Sequence, residues 1–479
     1  MNRVVAYYVG LFLRIFSGLL LIPVGVGLFL GESFVYLEGF IIAAFVAILS
    51  GVFLIFGKKK EPDAVEGMIS AVIGWICAVG ISSIPFMHIM GWGFVDAFFE
   101  SMSGFTTTGM SLMVSVEGVP HSLIFWRAFI QWMGGLGILT FFVAVIVKVG
   151  GAVTSLATAE ADKTDSGNIR PSMLNSIKSL WYVYIVFTFI QMVLLYMGGL
   201  SIFESMNYAL TTLPTGGFSH TVGGVAGFDS LFVTGVFAVF MFFGGTNFLL
   251  LHQLLKGNLK DIINDFEFKL YLKVILVVFA VVSLDLFLSS GESFLSALGD
   301  SIFQTVSVAS STGFELRSLS SFPEVSRMLL MGLMFVGGCL GSTTGGVKMY
   351  RFGILLKIVW REVKSFTLPR NALNFISEGG KKLSEDVVYR IVAIFFLWFA
   401  MVFLAGLFTV MFSDLGILAS VQGIISSMGT MGPLLVSQET LVALPSSVKV
   451  IWSFVMLAGR LELLPLLVFL NVEIFKRFS

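Results

Sequence analysis

The sequence predicts an all-α membrane protein: four pseudo-symmetric repeats of span, re-entrant loop and span, preceded by two extra N-terminal spans. Three observations predict it. Of 479 residues, 57% are hydrophobic and 12% charged, with a mean hydropathy of +0.96. Soluble domains are about half apolar and about a quarter charged. Windows of about 20 apolar residues, enough to cross a hydrocarbon core about 30 Å thick, recur along the chain. Finally, four of the connections between those windows resemble one another.

In chain order, residues 1–60 hold apolar segments at 10–30 and 35–56. The first could pass for a signal peptide. Its apolar run is long, Arg14 interrupts it and no small-residue cleavage site ends it, so a retained span is expected. Four repeats follow, at 61–150, 170–260, 265–365 and 384–479, with segment pairs 66–87/122–147, 179–199/229–254, 270–289/325–360 and 388–412/447–475. Ten crossings result. Basic residues settle their orientation: Lys58 to Lys60, Lys148, Lys163, Arg170, Lys178, Lys256, Lys260, Lys269, Lys273, the stretch Lys348 to Arg390 and the terminal pair all fall in alternate connections. By the positive-inside rule those connections, and both termini, are cytoplasmic.

The opposite connections each run through a segment too short to cross and then reach a Thr/Ser/Gly tract: DAFFESMSGFTTTGM, FESMNYALTTLPTGGFS, DSIFQTVSVASSTGFE and ASVQGIISSMGTMGP. Aligned on Gly109, Gly216, Gly313 and Gly432, the first and third place Asp96 and Asp300 thirteen residues upstream. Such copies, about a hundred residues apart, constitute an internal repeat. Extended backbone at membrane depth is tolerated only where protein buries it or where it lines a watery cavity. Glycine permits the positive φ that lines carbonyls up on an ion, and rings of carbonyls replace a cation's hydration shell. A short helix before each tract would turn its negative end to the same point. The expected filter is Thr107, Thr108, Gly109, Thr215, Gly216, Ser311, Thr312, Gly313, Met431 and Gly432, with cation ligands from Thr108, Thr215, Thr312 and Met431. Four unrelated turns would not need a shared preceding segment.

Other readings are excluded or weak. Net charge is zero, with 29 basic and 29 acidic residues, so nothing suggests a nucleic-acid partner. Cys77 and Cys339 lie in apolar segments and read as buried thiols. The four histidines form no HExxH or Cys/His cluster, and no nucleophile/base constellation supports an enzyme. GSTTGGVK departs from the P-loop, because Val347 separates Gly346 from Lys348 and no hydroxyl residue follows the lysine. Glycines at about 1 kcal/mol each make a continuous helix costly there. Gly338, Gly341, Ser342, Thr343, Thr344, Gly345 and Gly346 are therefore expected to form a broken-helix plug under the filter. GGLG at 134–137 and the glycine pair 244–245 read as close helix packing. Asn247 stands between pore lining and partnered burial, while Arg127 and Gln131 are expected to anchor the filter loops. Arg460, inside the last span, is expected at the plug as a gate element, because Glu462 two residues on does not share its helix face.

With the motifs WRAFIQWMGGLGI, GGTNF, GGCLGSTTGGVK and GRLELLP in the second spans, the chain resembles the Trk/Ktr/HKT superfamily of potassium transporters, and most closely its bacterial TrkH-type branch. The likeness runs from about residue 65 to the end, and the two extra N-terminal spans favour that branch. It implies potassium uptake across the bacterial inner membrane, with K⁺ as the transported ion and no covalent cofactor. It also implies a homodimer gated by a cytosolic nucleotide-binding, TrkA-like subunit. Passive flow and symport with H⁺ or Na⁺ both stay open. A sodium-permeable or poorly selective relative of the same fold is the alternative; plant members carry serine at the first filter glycine, and Gly109 argues against it. Pro214 and Met431 depart from a fourfold hydroxyl pattern and point to less stringent selectivity.

Overall fold

The computed structural model describes residues 2–55, 60, 62–137, 169–221, 223–291, 293–367, 375–378, 381–433 and 435–470. Six apolar helices among these are long enough to cross a membrane: Arg3–Phe29, Phe34–Leu54, Val65–Met90, Ile177–Met197, Phe266–Ser289 and Glu385–Phe412. They are the two N-terminal spans and the first span of each repeat. Apart from helix, the described residues hold one short antiparallel pairing, Ser377–Glu378 with Lys381–Lys382.

The second spans of the second, third and fourth repeats are interrupted; the third break is the one expected at the glycine-rich segment, and the second and fourth correct the uninterrupted segments expected from hydropathy. His121–Trp132 passes into a π-turn at Met133–Gly137. Leu231–Gly244 and Phe248–Leu255 meet at 113°. Glu324–Val336 and Met349–Ser365 are separated by twelve non-helical residues. Ser446–Arg460 stops before Leu464–Leu470, with Glu462 at positive φ (54°). Hydropathy averages over a window and passes straight across such breaks. The parts of the first and last second spans at 138–147 and 471–475 lie outside the described residues.

Between the spans of each repeat stands a short helix: Phe94–Phe105, Ile202–Thr212, Phe294–Ala309 and Ile417–Gly429. Two apolar cores hold these in place. One joins the N-terminal spans to the first and fourth repeats, around Phe40, Trp75, Trp126 and Trp452. The other joins the second and third repeats, around Tyr184, Tyr208, Phe237 and Tyr271. The four short helices reach the seam between those cores.

Candidate ion-conduction site

Each short helix ends in the same backbone motif. The amide of Thr107 donates to Gly104 O (3.0 Å), and Thr108 donates to Ser103 O (2.8 Å). The pattern recurs at Thr215→Thr212 and Gly216→Thr211, at Ser311→Val308 and Thr312→Ser307, and at Thr430→Ser427 and Met431→Ser426. These paired bonds define a Schellman close, which needs one left-handed residue. That residue is Thr107 (φ 55°), Thr215 (58°), Ser311 (56°) or Thr430 (51°). Glycine would fit at no cost, whereas a side chain at positive φ is strained by about 1–3 kcal/mol. Three of the four hydroxyls, those of Thr107, Ser311 and Thr430, are buried with no hydrogen-bond partner.

Two residues after each comes a glycine, again at positive φ: Gly109 (80°), Gly217 (75°), Gly313 (82°) and Gly432 (93°). The second-repeat counterpart of Gly109 is therefore Gly217 and not Gly216, a one-residue correction of the alignment. In the corrected register Glu204 lies thirteen residues upstream, matching Asp96 and Asp300. Thr215 becomes the counterpart of Thr107, and Gly216 that of Thr108, Thr312 and Met431. The four loops close on one another. A Cβ on Gly109 would collide with the Gly216 carbonyl, on Gly217 with that of Thr312, on Gly313 with Met431, and on Gly432 with Thr108. Only glycine allows neighbouring strands this near, and the order runs from the first loop round to the first again.

The ring is held from behind. Arg127, 1% exposed, bonds Glu100 through Nε (3.1 Å) and Nη2 (2.9 Å), Ser111 Oγ (2.8 Å) and the Ser219 carbonyl (3.2 Å). Glu100 in turn accepts from Leu112 N (2.7 Å). One buried ion pair thus ties the first loop to the second. Gln131 bonds Gly216 O (2.7 Å) and Phe218 N (3.2 Å). In the fourth loop Gln422 bonds Pro433 O (2.8 Å) and Leu435 N (3.1 Å).

The non-helical stretch between Val336 and Met349 lies on the side of the ring where the short helices end. Thr343 Oγ1 donates to Leu213 O (3.0 Å) and receives from Thr215 Oγ1 (3.2 Å). A Cβ on Gly345 would meet the Gly429 carbonyl and the Thr430 hydroxyl. The second and fourth loops stand across the ring from each other, so a segment that touches both runs beneath its centre. Gly338 sits against the Gly245 carbonyl, and Gly337, Gly341 and Gly346 adopt φ of 72°, 69° and 81°. Ser342 Oγ bonds Thr344 Oγ1 (2.7 Å). Arg460, 6% exposed, donates to the carbonyls of Thr343, Gly134 and Gly135. Glu462 pairs instead with Arg351 (2.5 Å).

Asn247 caps the helix Phe248–Leu255 by accepting from Leu249 N (2.8 Å), and a Cβ on Gly341 would lie 3.2 Å from its Oδ1. Its amide is therefore a capping group packed on the loop. Close packing does explain the second-span glycines: a Cβ on Gly134 would strike Phe105 O, and one on Gly244 would lie 2.8 Å from Leu213 O. Two contributors escaped the sequence reading. Lys348 is buried at φ 79° with its ammonium on the Thr344 carbonyl. Glu267, also buried, accepts from Leu340 N (2.6 Å) and Tyr350 N (3.0 Å), gathering both ends of the loop. A carboxylate at the start of a span gave no local signal of a partner some 73 residues on.

A family model described as TrkH, cation transport protein, matches residues 36–476. The chain belongs to the TrkH family. Among its relatives is the Trk system potassium uptake protein TrkH of Salmonella typhimurium, 31% identical over 97% of this chain and 98% of that protein. The protein of the same name from Escherichia coli K12 gives the same identity and coverage. The crystal structure of the potassium transporter TrkH from Vibrio parahaemolyticus superposes with a TM-score of 0.86 at 28% identity, covering 99% of both chains. Membership of the TrkH family makes this chain a membrane cation transporter, in accord with its apolar helices.

Proposed function

We propose that this TrkH-family protein takes up potassium through the four-loop ring and that the segment 337–348 is its gate. The observation that carries the reading is the closed succession of carbonyls, Thr108, Gly216, Thr312 and Met431, each against the filter glycine of an adjoining loop. Carbonyls so placed substitute for the water shell of a dehydrated cation. Below them the hydroxyls of Thr107, Ser311 and Thr430 have no protein partner and offer a further set of oxygen ligands. The second quadrant differs, because the Thr215 hydroxyl bonds the Pro214 carbonyl (2.6 Å) and Thr343. Compared with the expected ligand set, Gly216 replaces Thr215 at the carbonyl level and Thr215 joins the hydroxyl level.

Gly338, Gly341 to Gly346 and Asn247 form and brace the gate, and Arg460 holds it shut by bonding the Thr343 carbonyl. Its guanidinium also repels cations from the closed path. A cytosolic nucleotide-binding subunit of the TrkA type, docking on the basic inner face, would move the loop. The protein would work as a homodimer in the bacterial inner membrane with both termini cytoplasmic. That both potassium uptake proteins named above match nearly end to end supports potassium over sodium.

The test is rescue of a potassium-uptake-deficient bacterium at limiting K⁺, with ⁸⁶Rb⁺ uptake competed by Na⁺. Rescue with weak Na⁺ competition is the expected result. Replacing both Gly109 and Gly313 by Ser should lower Rb⁺ preference per unit of folded protein and reduce the folded amount, since each new Cβ, at positive φ, meets a neighbouring carbonyl. Unaltered selectivity in that variant would show that the ring is elsewhere, and equal competition by Na⁺ in the parent protein would establish the sodium-permeable alternative.

A further inference from the structure

The ring is not equivalent at its four corners. Gln131, 0% exposed, donates from Nε2 to the Gly216 carbonyl (2.7 Å) and accepts from Phe218 N (3.2 Å), so one amide straddles Gly217. No side chain among the described residues is recorded on the carbonyls of Thr108, Thr312 or Met431. The residue types match this asymmetry. A Cβ on Gly216 would run into Gln131 Cδ, Oε1 and Nε2, whereas the three equivalent positions carry Thr, Thr and Met. Each glycine of the pair 216–217 therefore has its own reason: the second for the left-handed turn, the first to admit the amide.

We infer that Gln131 is a selectivity-setting positioning residue, which lowers the ligand strength of one ring carbonyl by occupying one of its lone pairs. The inference rests on the carbonyl-ring reading above. A carbonyl has two lone pairs, so it can accept the amide and still face an ion. The donor's positive end opposes the field that oxygen presents to a cation. Ligand number and field strength both bear on discrimination between K⁺ and Na⁺. A strong field favours the smaller ion, whose bound oxygens come closer, so weakening one corner favours K⁺. The same bonds also fix the direction of that carbonyl, which keeps it from collapsing onto a smaller ion.

Gln422 supplies an internal control. It makes the same bidentate amide clamp in the fourth loop, but on Pro433 O and Leu435 N, past the filter glycine and away from the ring carbonyl. Gln131→Met and Gln422→Met each keep the chain length and delete both hydrogen bonds. Purified full-length protein in vesicles would be assayed for ⁸⁶Rb⁺ uptake against competing Na⁺, beside thermal stability. Gln131→Met is expected to cut the Rb⁺/Na⁺ preference by about fivefold, the equivalent of one typical hydrogen bond. Gln422→Met is expected to lower stability by a similar amount and, because its clamp lies past the ring carbonyl, to cost less preference than Gln131→Met. Equal loss of preference in both variants, or none in Gln131→Met, would overturn the inference. If Gln131→Met does not insert, Gln131→Leu serves in its place, also deleting both hydrogen bonds, with the same loss expected. The Gly109/Gly313 variant separates the two readings: selectivity lost there but intact in Gln131→Met leaves the ring standing and removes only this residue's role.

Discussion

Gly216 and Gly217 adjoin, yet a methyl group on each would do different damage. On Gly217 it would force a side chain into φ 75° and onto the Thr312 carbonyl, so neither strand could relax. On Gly216 the backbone conformation is ordinary, and the collision is with the Gln131 amide. Gly217→Ala should therefore abolish selective uptake and lower the amount of folded protein. Gly216→Ala should fold and conduct, with a partial loss of Rb⁺ preference like that of Gln131→Met. Side-by-side uptake and membrane abundance of the two variants checks this; matching behaviour would mean that the one-residue register is wrong. The sequence could not choose between the two glycines. A tract reading TGG offers both, and what separates them is φ and the neighbour across the ring, neither of which is local. By contrast the places of Thr108, Thr312 and Met431, each before a glycine that a neighbouring loop approaches, were legible, because a single glycine follows each.

At the level of elements, the second spans carry the lesson. Their glycines announced close packing, and packing is what Gly134 and Gly244 do against Phe105 and Leu213. That second spans also break was legible only in the third, where glycine pairs frame three hydroxyl residues. In the second and fourth the breaks arise from tertiary demands, the Asn247 cap and the carbonyls that Arg460 takes up, while the first passes into a π-turn where Gly134 packs on Phe105. Arg460 was legible because a guanidinium inside a span must find oxygen. Its pairing with Glu462 does not occur, since Arg351 holds that carboxylate. Arg460→Gln keeps a donor but removes the charge. Losing a charged hydrogen bond of about 1.5–3 kcal/mol to the closed loop should raise basal ⁸⁶Rb⁺ flux by roughly tenfold or more without changing Rb⁺/Na⁺ preference. Deleting Gly341–Gly345 should raise basal flux further and weaken any dependence on a cytosolic partner. Normal insertion with parental flux in both variants would reduce the loop to a packing element.

Across the whole molecule, a fourfold ring made from one chain has three seams between consecutive repeats and one between the last and the first. That last seam must be held by contacts alone, between residues more than 300 positions apart. Fixing such distant residues costs loop-closure entropy that local contacts do not incur. Beside Arg460 on the Gly134 and Gly135 carbonyls, two further polar ties stand there. Lys449, 4% exposed, bonds Asp96 (2.7 Å) and the Val442 carbonyl (2.8 Å), and Gln438 reaches the carbonyls of Ser111 (3.0 Å) and Met113 (2.7 Å). The ammonium is buried while the Asp96 side chain is 39% exposed, so the pair falls between a surface bridge and a sealed one. Lys449→Met should lower stability by about 1–2 kcal/mol, above the roughly 0–1 of exposed pairs and below the 3–5 of breaking buried ones. Asp96→Asn should cost more in the parent than in the Lys449→Met background, because the unpaired ammonium is the expensive species. Thermal unfolding of the two single variants and the double variant measures that coupling. Since the Gly432–Thr108 approach lies at the same seam, the single variants should also lose Rb⁺ preference on warming before they unfold. Strictly additive stability losses, with selectivity held until unfolding, would mean that the apolar core of the first and fourth repeats closes the ring without this pair.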